Sequence, residues 1–373
     1  MKVAICGYPP FAQELQDNLK ADLEFKFFVS DLVSDAGKSK TEFVVDLPLI
    51  TFFEFRRLVD AGELDGIVVI EVANSNFAKE VVRLCKLYEI EKVGVVDLSR
   101  YKPQNPIYWL DAFKIFLPYI EADITDSCNL KCRACFHFAN FSCAKDFYPT
   151  EIFRRDVRQL ARNCDVLHFR LLGGEPFLMK NFDEYLNVLR QNLPRSDLGV
   201  VTNGLLIPSL DKKIFEALRK NKCFVYISAY PPTLNIIDKI QAVLESNEIC
   251  FDVGAPTHWF RVFLTGHAGN DTRRAREYCC NDICRSLYRG KIYKCPPDAF
   301  HFKLKEKFGE NILPAATGVD IYSQNLSSLL QMLDGDVEMC RWCSDHPRKI
   351  PWEVIGSPKL EDWLADPDEL NAF

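Results

Sequence analysis

Asp123-Ile124-Thr125-Asp126-Ser127-Cys128-Asn129-Leu130-Lys131-Cys132-Arg133-Ala134-Cys135-Phe136-His137 sets three cysteines at C-x3-C-x2-C on one short segment. The run before it, Tyr119–Ile124, is rich in strand-forming residues, so the cysteines follow a strand end. Three thiolates on one loop can wrap a cubane iron–sulfur cluster, which normally takes four. The iron left open then offers a coordination site to an exogenous ligand, as at a catalytic metal. Tetrahedral zinc is the competing reading. It asks for paired knuckles and a fourth protein ligand, and nothing nearby supplies one cleanly.

Outward from this loop the chain alternates strands and helices. Strands are predicted at Tyr119–Ile124, Val166–Leu172, Leu198–Thr202, Phe224–Ser228, Ile249–Val253 and Phe260–Leu264. Helical patterns over Ile152–Asn163, Phe182–Leu193 and Lys212–Lys220 sit between the earlier ones. Six strands with crossover helices fit an open, partial α/β barrel, whose site residues belong at the C-terminal strand ends. Those ends carry Leu172-Gly173-Gly174-Glu175-Pro176, Thr202-Asn203-Gly204 and Ser228. Taken singly, Gly-Gly and Asn-Gly read as ordinary turns.

Taken in order with the cysteine loop, these segments resemble the radical S-adenosylmethionine (SAM) superfamily. The resemblance implies a [4Fe-4S] cluster on Cys128, Cys132 and Cys135 that binds SAM. Gly173, Gly174, Glu175 and Pro176 correspond to a GGEP motif, whose glycines let the backbone approach the methionyl ammonium. Thr202 and Asn203 would meet the SAM carboxylate or ribose, and Ser228 the ribose. One position departs from the family pattern: the residue before the third cysteine, usually an aromatic packed on the adenine, is Ala134, so Phe136 or Phe138 is expected to take that part. By the same resemblance, a reduced cluster cleaves SAM into methionine and a 5′-deoxyadenosyl radical that takes hydrogen from substrate. The cofactor carries that chemistry. A reducing partner such as flavodoxin or ferredoxin is implied.

A second set of cysteines follows. Residues 284–295, CRSLYRGKIYKC, read as a hairpin turning at Arg289-Gly290, with Tyr288 opposite Lys291 and Cys284 opposite Cys295. Cβ atoms so opposed lie roughly 4.5–5.5 Å apart. Cys340-Arg341-Trp342-Cys343 adds a C-x2-C knuckle, and Cys280 and Cys279 are further candidate ligands. With G-x4-C from Gly290 to Cys295, the arrangement resembles the shortened SPASM, or "twitch", extension of radical SAM enzymes. It implies one auxiliary iron–sulfur cluster, of the [4Fe-4S] type, on Cys284, Cys295, Cys340 and Cys343, with Cys280 or Cys279 as an alternative ligand. A zinc ribbon is the alternative use of the same thiolates.

The expected α/β architecture has three segments. Residues 1–108 form a Rossmann-like doubly wound domain, with strands Val3–Cys6, Phe25–Val29, Glu42–Val45, Gly66–Ile70 and Lys92–Val96 and helices Phe11–Leu19, Phe52–Val59 and Phe77–Leu87. Residues 109–275 form the partial (β/α)6 barrel, after a proline-bearing linker at Arg100–Tyr108. Residues 276–373 form the twitch-like extension and tail. The first turn, Gly7-Tyr8-Pro9-Pro10-Phe11-Ala12, has one of the three glycines of a dinucleotide fingerprint, and its prolines lack N–H donors. Recognition or docking suits this segment better than nucleotide binding.

Composition narrows the remainder. With 46 basic and 52 acidic residues the net charge is −6, which disfavours a nucleic-acid partner. No run of 18 apolar residues occurs, and the N-terminus lacks a secretory core, so the chain reads as cytoplasmic with no membrane segment. In that compartment disulfides are rare, so the clustered cysteines point to metal. The scattered ones (Cys6, Cys85, Cys143, Cys164, Cys223, Cys250) read as small buried hydrophobes. His137, His168, Arg261 and Asp298 are polar candidates near the cleft edges, with a structural role equally open. No general acid, base or nucleophile is assigned. The expected substrate is a carbohydrate-type small molecule, such as a sugar or nucleotide sugar, dehydrogenated or epimerised. Maturation of a ribosomally made peptide is the alternative, and a non-enzymatic iron–sulfur protein the third reading.

Overall fold

The chain folds into three sheets, of six, eight and three strands, among the described residues, and divides into two compact units. The computed structural model describes residues 1–19, 22–33, 46–71, 77–97, 107–141, 148–279, 284–309 and 313–365. The expected strand Glu42–Val45, most of the linker, Cys143 and Cys280 lie outside them. One unit comprises Met1–Pro118 with Arg162–Leu167, the other Tyr119–Ala161 with His168–Phe373. The division is coarser than the expected three segments.

In the first unit the strands are β1 (Lys2–Gly7), β2 (Glu24–Val33), β3 (Leu49–Ile50), β4 (Gly66–Glu71), β5 (Val93–Asp97) and β6 (Tyr108–Trp109). They lie in the order β3-β2-β1-β4-β5-β6, with β6, at the end of the expected linker, antiparallel to β5. Side chains alternate across the sheet, as strand geometry requires. Val3 and Ile5 pack with Leu15 of helix Pro9–Leu19, while Ala4 and Cys6 pack with Phe55, Val82 and Cys85. Helix Phe52–Asp60 starts at a capping box between Thr51 and Glu54. Gly7, at φ +110°, is required by strand packing: a Cβ there would sit 2.1 Å from the Ile70 carbonyl oxygen.

Two of the elements that follow, β7 (Ile115–Thr125) and β8 (Cys164–Gly173), open the second sheet, and β9 (Asp197–Thr202), β10 (Phe224–Ile227) and β11 (Phe251–Val253) continue it. Adjacent pairs from β8 to β11 are parallel. Helices Thr150–Asn163, Phe182–Asn192 and Lys212–Lys220 match the predicted ones, and Asp211 caps the last of them.

The sixth expected barrel strand does not join this sheet. β12 (Trp259–Thr265) pairs instead with β16 (Cys343–Pro351), antiparallel, and with β17 (Leu364–Ala365). The reason is connection length. Only residues 254–258 separate β11 from β12, and a parallel return needs a crossover of roughly a dozen residues. The other edge of the sheet is extended by β13 (Ser286–Tyr288), β14 (Lys291–Tyr293) and β15 (Val319–Asp320). The expected hairpin is present with Tyr288 opposite Lys291, and its first strand joins β7 through Ser286 and Glu121. No helix among the described residues is long and apolar enough to cross a membrane.

Candidate functional site

β7 runs out at Thr125 and the chain turns at once into the three-cysteine loop. The Ser127 amide donates to the Thr125 hydroxyl oxygen at 3.1 Å, closing that turn. The end of β8 is laced to the same turn. The Gly174 amide donates to the Thr125 carbonyl and the Glu175 amide to the Ser127 carbonyl, both at 2.7 Å. This lacing is why the two glycines are needed. A Cβ on Gly173 would stand 2.0 Å from the Thr125 oxygen, and one on Gly174 2.2 Å from the Ser127 oxygen.

Glu175 is fully buried and ties three strand ends together. Its carboxylate accepts from the Phe177 amide (3.2 Å), the Thr202 hydroxyl (2.8 Å) and the Asn203 amide (2.9 Å). Burial nevertheless pushes its pKa up to about 7, the three donors opposing. Pro176 opens a single 3-10 turn behind it. Asn203 reaches back to the loop, its side-chain amide donating to the Asn129 side-chain oxygen at 2.7 Å and lying 4.0 Å from the Cys128 sulfur. The Leu130 amide donates to that sulfur at 3.4 Å. Ser228 follows β10, its amide bonded to the Thr202 carbonyl at 2.9 Å. The residues expected to contact SAM at the ends of β8 and β9 are thus gathered at one rim with the cysteine loop.

Cys128 and Cys135 are half-buried and Cys132 is buried. Burial pushes the Cys128 thiol up to about 12. Among the described residues, no three His, Cys, Asp or Glu side chains converge on a point that would hold a single metal ion. A cubane asks for less, because each thiolate binds a different iron. Soft sulfur donors on one loop, with N–H groups directed at them, fit such a cluster.

The departure at Ala134 has a packing cause. Ala134 lies at φ +55° and is buried with Val262, Ile350 and Ala365 of the three-stranded sheet, where an aromatic ring has no room. Phe136 packs on Phe263 with ring centroids 4.8 Å apart. Phe138 is fully buried and stacks with Phe141.

One set of contacts has no counterpart in the sequence motifs. The chain beyond Cys343 brackets the cysteine loop. The Arg133 amide donates to the Glu353 carbonyl at 3.0 Å, and the Ile355 amide to the Lys131 carbonyl at 2.9 Å. The Arg133 guanidinium pairs with Glu353 and Asp362, both at 2.8 Å. The Trp363 indole donates to the Cys135 carbonyl at 3.0 Å. Nothing local marks these residues, since the pairing spans more than 200 positions.

A second polar group lines β7. Glu121 is buried, with the Tyr119 and Ser286 hydroxyls donating to it at 3.3 and 3.2 Å. Burial raises its pKa to about 7. His137 Nδ1 lies 2.9 Å from Asp123, and the Lys303 ammonium donates to the His137 carbonyl at 3.3 Å. Burial opposes charge on His137, but the Asp123 carboxylate outweighs it and brings the pKa to about 9.

The Glu121 shift gives a stability test. A carboxyl raised in the folded state contributes stability that is present below its ordinary pKa and lost as pH climbs through 7. Glu121→Gln is therefore expected to melt above the wild-type chain at pH 8, by up to about 3 kcal/mol, with the margin closing at pH 5. Calorimetric melts at the two pH values check this, and an equal difference at both would refute it.

The other polar candidates have structural partners. His168 and Arg170 share Asp197, at 3.0 and 2.6 Å. Asp298 is buried and accepts from the Thr317 amide at 2.9 Å. Arg261 is exposed on β12. Of the scattered cysteines, Cys6, Cys85, Cys164 and Cys223 are buried as expected, while Cys250 is exposed because it precedes the short edge strand β11.

In the second cysteine set, Cys284, Cys295, Cys340 and Cys343 are half-buried, as is Cys279. The hairpin register runs toward Cys284 opposite Cys295. Burial raises the Cys295 thiol, and its neighbours Cys343 and Cys279 add to the rise. Burial likewise raises Cys340, with Cys279 again contributing. Cys280 lies outside the described residues.

Comparison with known proteins agrees with this geometry. Residues 123–273 match the Radical SAM superfamily. That match takes in the cysteine loop and the ends of β8, β9 and β10, and members of the superfamily carry a [4Fe-4S] cluster and bind SAM. It is 26% identical over 169 residues to a GTP 3′,8-cyclase of Sulfurovum sp. (strain NBC37-1), covering 43% of this chain and 51% of the relative. It is 30% identical over 171 residues to the GTP 3′,8-cyclase of Nautilia profundicola, covering 44% and 52%. The chain therefore spans about half the length of these curated relatives. Among solved structures, BtrN in complex with AdoMet and 2-DOIA aligns with a TM-score of 0.37 at 16% identity, over 62% of this chain and 98% of that one.

Proposed function

We propose that this chain is a radical SAM enzyme acting on a polar, hydroxyl-bearing small molecule of carbohydrate type, by dehydrogenation or epimerisation. A [4Fe-4S] cluster and SAM, when bound, supply a 5′-deoxyadenosyl radical after one-electron reduction. Cys128, Cys132 and Cys135 would hold the cluster, and the rim of Gly174, Glu175, Thr202, Asn203 and Ser228 would hold SAM against it. An auxiliary cluster of the twitch kind is proposed on Cys284, Cys295, Cys340 and Cys343, with Cys279 or Cys280 as a further ligand. Residues 1–108 are proposed as a Rossmann-like recognition domain.

The observation that carries the substrate class is the row of buried Glu121 and Asp123 with half-buried His137 along β7 and the loop it feeds. These groups already pair with hydroxyls and with one another, and a row of that polarity suits a ligand that presents hydroxyl groups better than an apolar one. In a dehydrogenation, Glu121 would accept the proton of a substrate hydroxyl once the adjacent C–H hydrogen has been taken, and the proposed auxiliary cluster would accept the remaining electron. The curated relatives carry the name GTP 3′,8-cyclase. The match covers only about half of each, so their substrate is not transferred.

The test is isotopic. Reconstituted protein is reduced in the presence of SAM and offered C-deuterated sugars, nucleotide sugars, GTP or peptides, and deuterium in 5′-deoxyadenosine is measured. Transfer from a sugar-type compound is expected, whereas transfer only from GTP or from peptide would overturn the substrate class. Glu121→Gln is expected to keep SAM cleavage and to lose substrate turnover by about 10²–10⁴-fold.

A further inference from the structure

Trp352 stands immediately after β16, the strand that begins at Cys343. The backbone pairing of 353–355 with 131–133, including a bridge between Val354 and Cys132, holds it beside the cysteine loop. Its ring stacks on Tyr230, with centroids 5.6 Å apart and planes at 14°, which fixes the direction of the indole edge. The indole N–H is buried and makes no hydrogen bond of ordinary geometry to any described acceptor. The nearby Trp363 indole, by contrast, is satisfied by the Cys135 carbonyl.

An indole can donate and cannot accept, so a buried N–H without an acceptor asks for a ligand that brings one. Thiolate and sulfide sulfurs of an iron–sulfur cluster are such acceptors. We propose that the Trp352 N–H donates to the sulfur atoms of the cluster held by Cys128, Cys132 and Cys135 and raises its reduction potential. This rests on the functional reading above. Reduction adds negative charge that spreads onto the sulfurs, and an N–H dipole aimed at them stabilises the reduced form. Trp352 is thus a positioning and tuning residue supplied by the segment beyond the second cysteine set. The SAM-cleavage motifs do not include it.

The test uses the whole chain, reconstituted anaerobically and titrated by electron paramagnetic resonance. The signal that changes on adding SAM separates this cluster from any other. Trp352→Phe removes the N–H. A second variant carries β-(3-benzothienyl)alanine at position 352, which keeps the size and stacking of indole and lacks only that donor. Both are expected to load as much iron as wild type and to show about a tenfold lower reduced-to-oxidised ratio at a fixed potential, equivalent to about 59 mV for one electron. An unchanged midpoint in the benzothienyl variant would overturn the proposal. If the wild-type chain itself forms no SAM-responsive cluster, the functional reading fails too, an outcome separate from an unmoved potential.

Discussion

Cys132→Ala is expected to bring 5′-deoxyadenosine formation down to the level of a control without protein, while the chain stays folded. In the proposed site the buried Cys132 sulfur is the middle one of three thiolates on one loop, and the cluster has no fourth protein ligand. With two thiolates left, a cubane has no stable footing, and the iron that should bind SAM is lost. Iron analysis is expected to fall by about four atoms per chain, the content of one cubane. Iron at the proposed auxiliary site should stay, because the ligands proposed for it come from the hairpin and the 340–343 knuckle. The fold tolerates the change because Cys132→Ala removes one small side chain and leaves the bracket through Arg133 and Trp363 in place. Retention of SAM cleavage by this variant would place the cluster elsewhere.

The second large effect is expected from Gly173→Ala. Gly173 sits at φ +141°, and its Cβ would meet the Thr125 carbonyl oxygen at 2.0 Å. That oxygen is the acceptor for the Gly174 amide, so backbone must move and the lacing between β8 and the cysteine loop must open. Backbone strain and overpacking together give about 3–5 kcal/mol. Much of it falls on the rim that gathers Glu175, Thr202 and Asn203. SAM affinity is therefore expected to drop at least tenfold, read by equilibrium binding to the reconstituted protein, together with a lower melting temperature. A variant that binds SAM normally would contradict this account of the glycine.

What the sequence made legible was local. The C-x3-C-x2-C spacing, the Gly-Gly-Glu after β8 and the Thr-Asn after β9 lie within a few residues of strand ends that hydrophobic patterning located. What it hid depends on distant partners. β12 reads as one more barrel strand until the short run 254–258 is set beside the reach a parallel return requires. The absence of an aromatic at Ala134 makes sense only once Val262, Ile350 and Ala365 are packed over it. Gly173 and Gly174 also accommodate a close approach of the protein's own backbone, at Thr125 and Ser127, which the motif itself does not disclose. The bracket from Glu353, Asp362 and Trp363 leaves no periodic trace, because each contact uses one side chain or one amide in an irregular stretch.

The roles proposed for Glu121 and Trp352 both depend on radical chemistry at the three-cysteine loop. The most direct test is to reconstitute the wild-type chain with iron and sulfide under anaerobic conditions, add dithionite and SAM, and measure 5′-deoxyadenosine and methionine. Formation of both in equal amounts, absent from the Cys128, Cys132 and Cys135 triple alanine variant, is the expected result. A fully loaded cluster that leaves SAM intact would contradict the account.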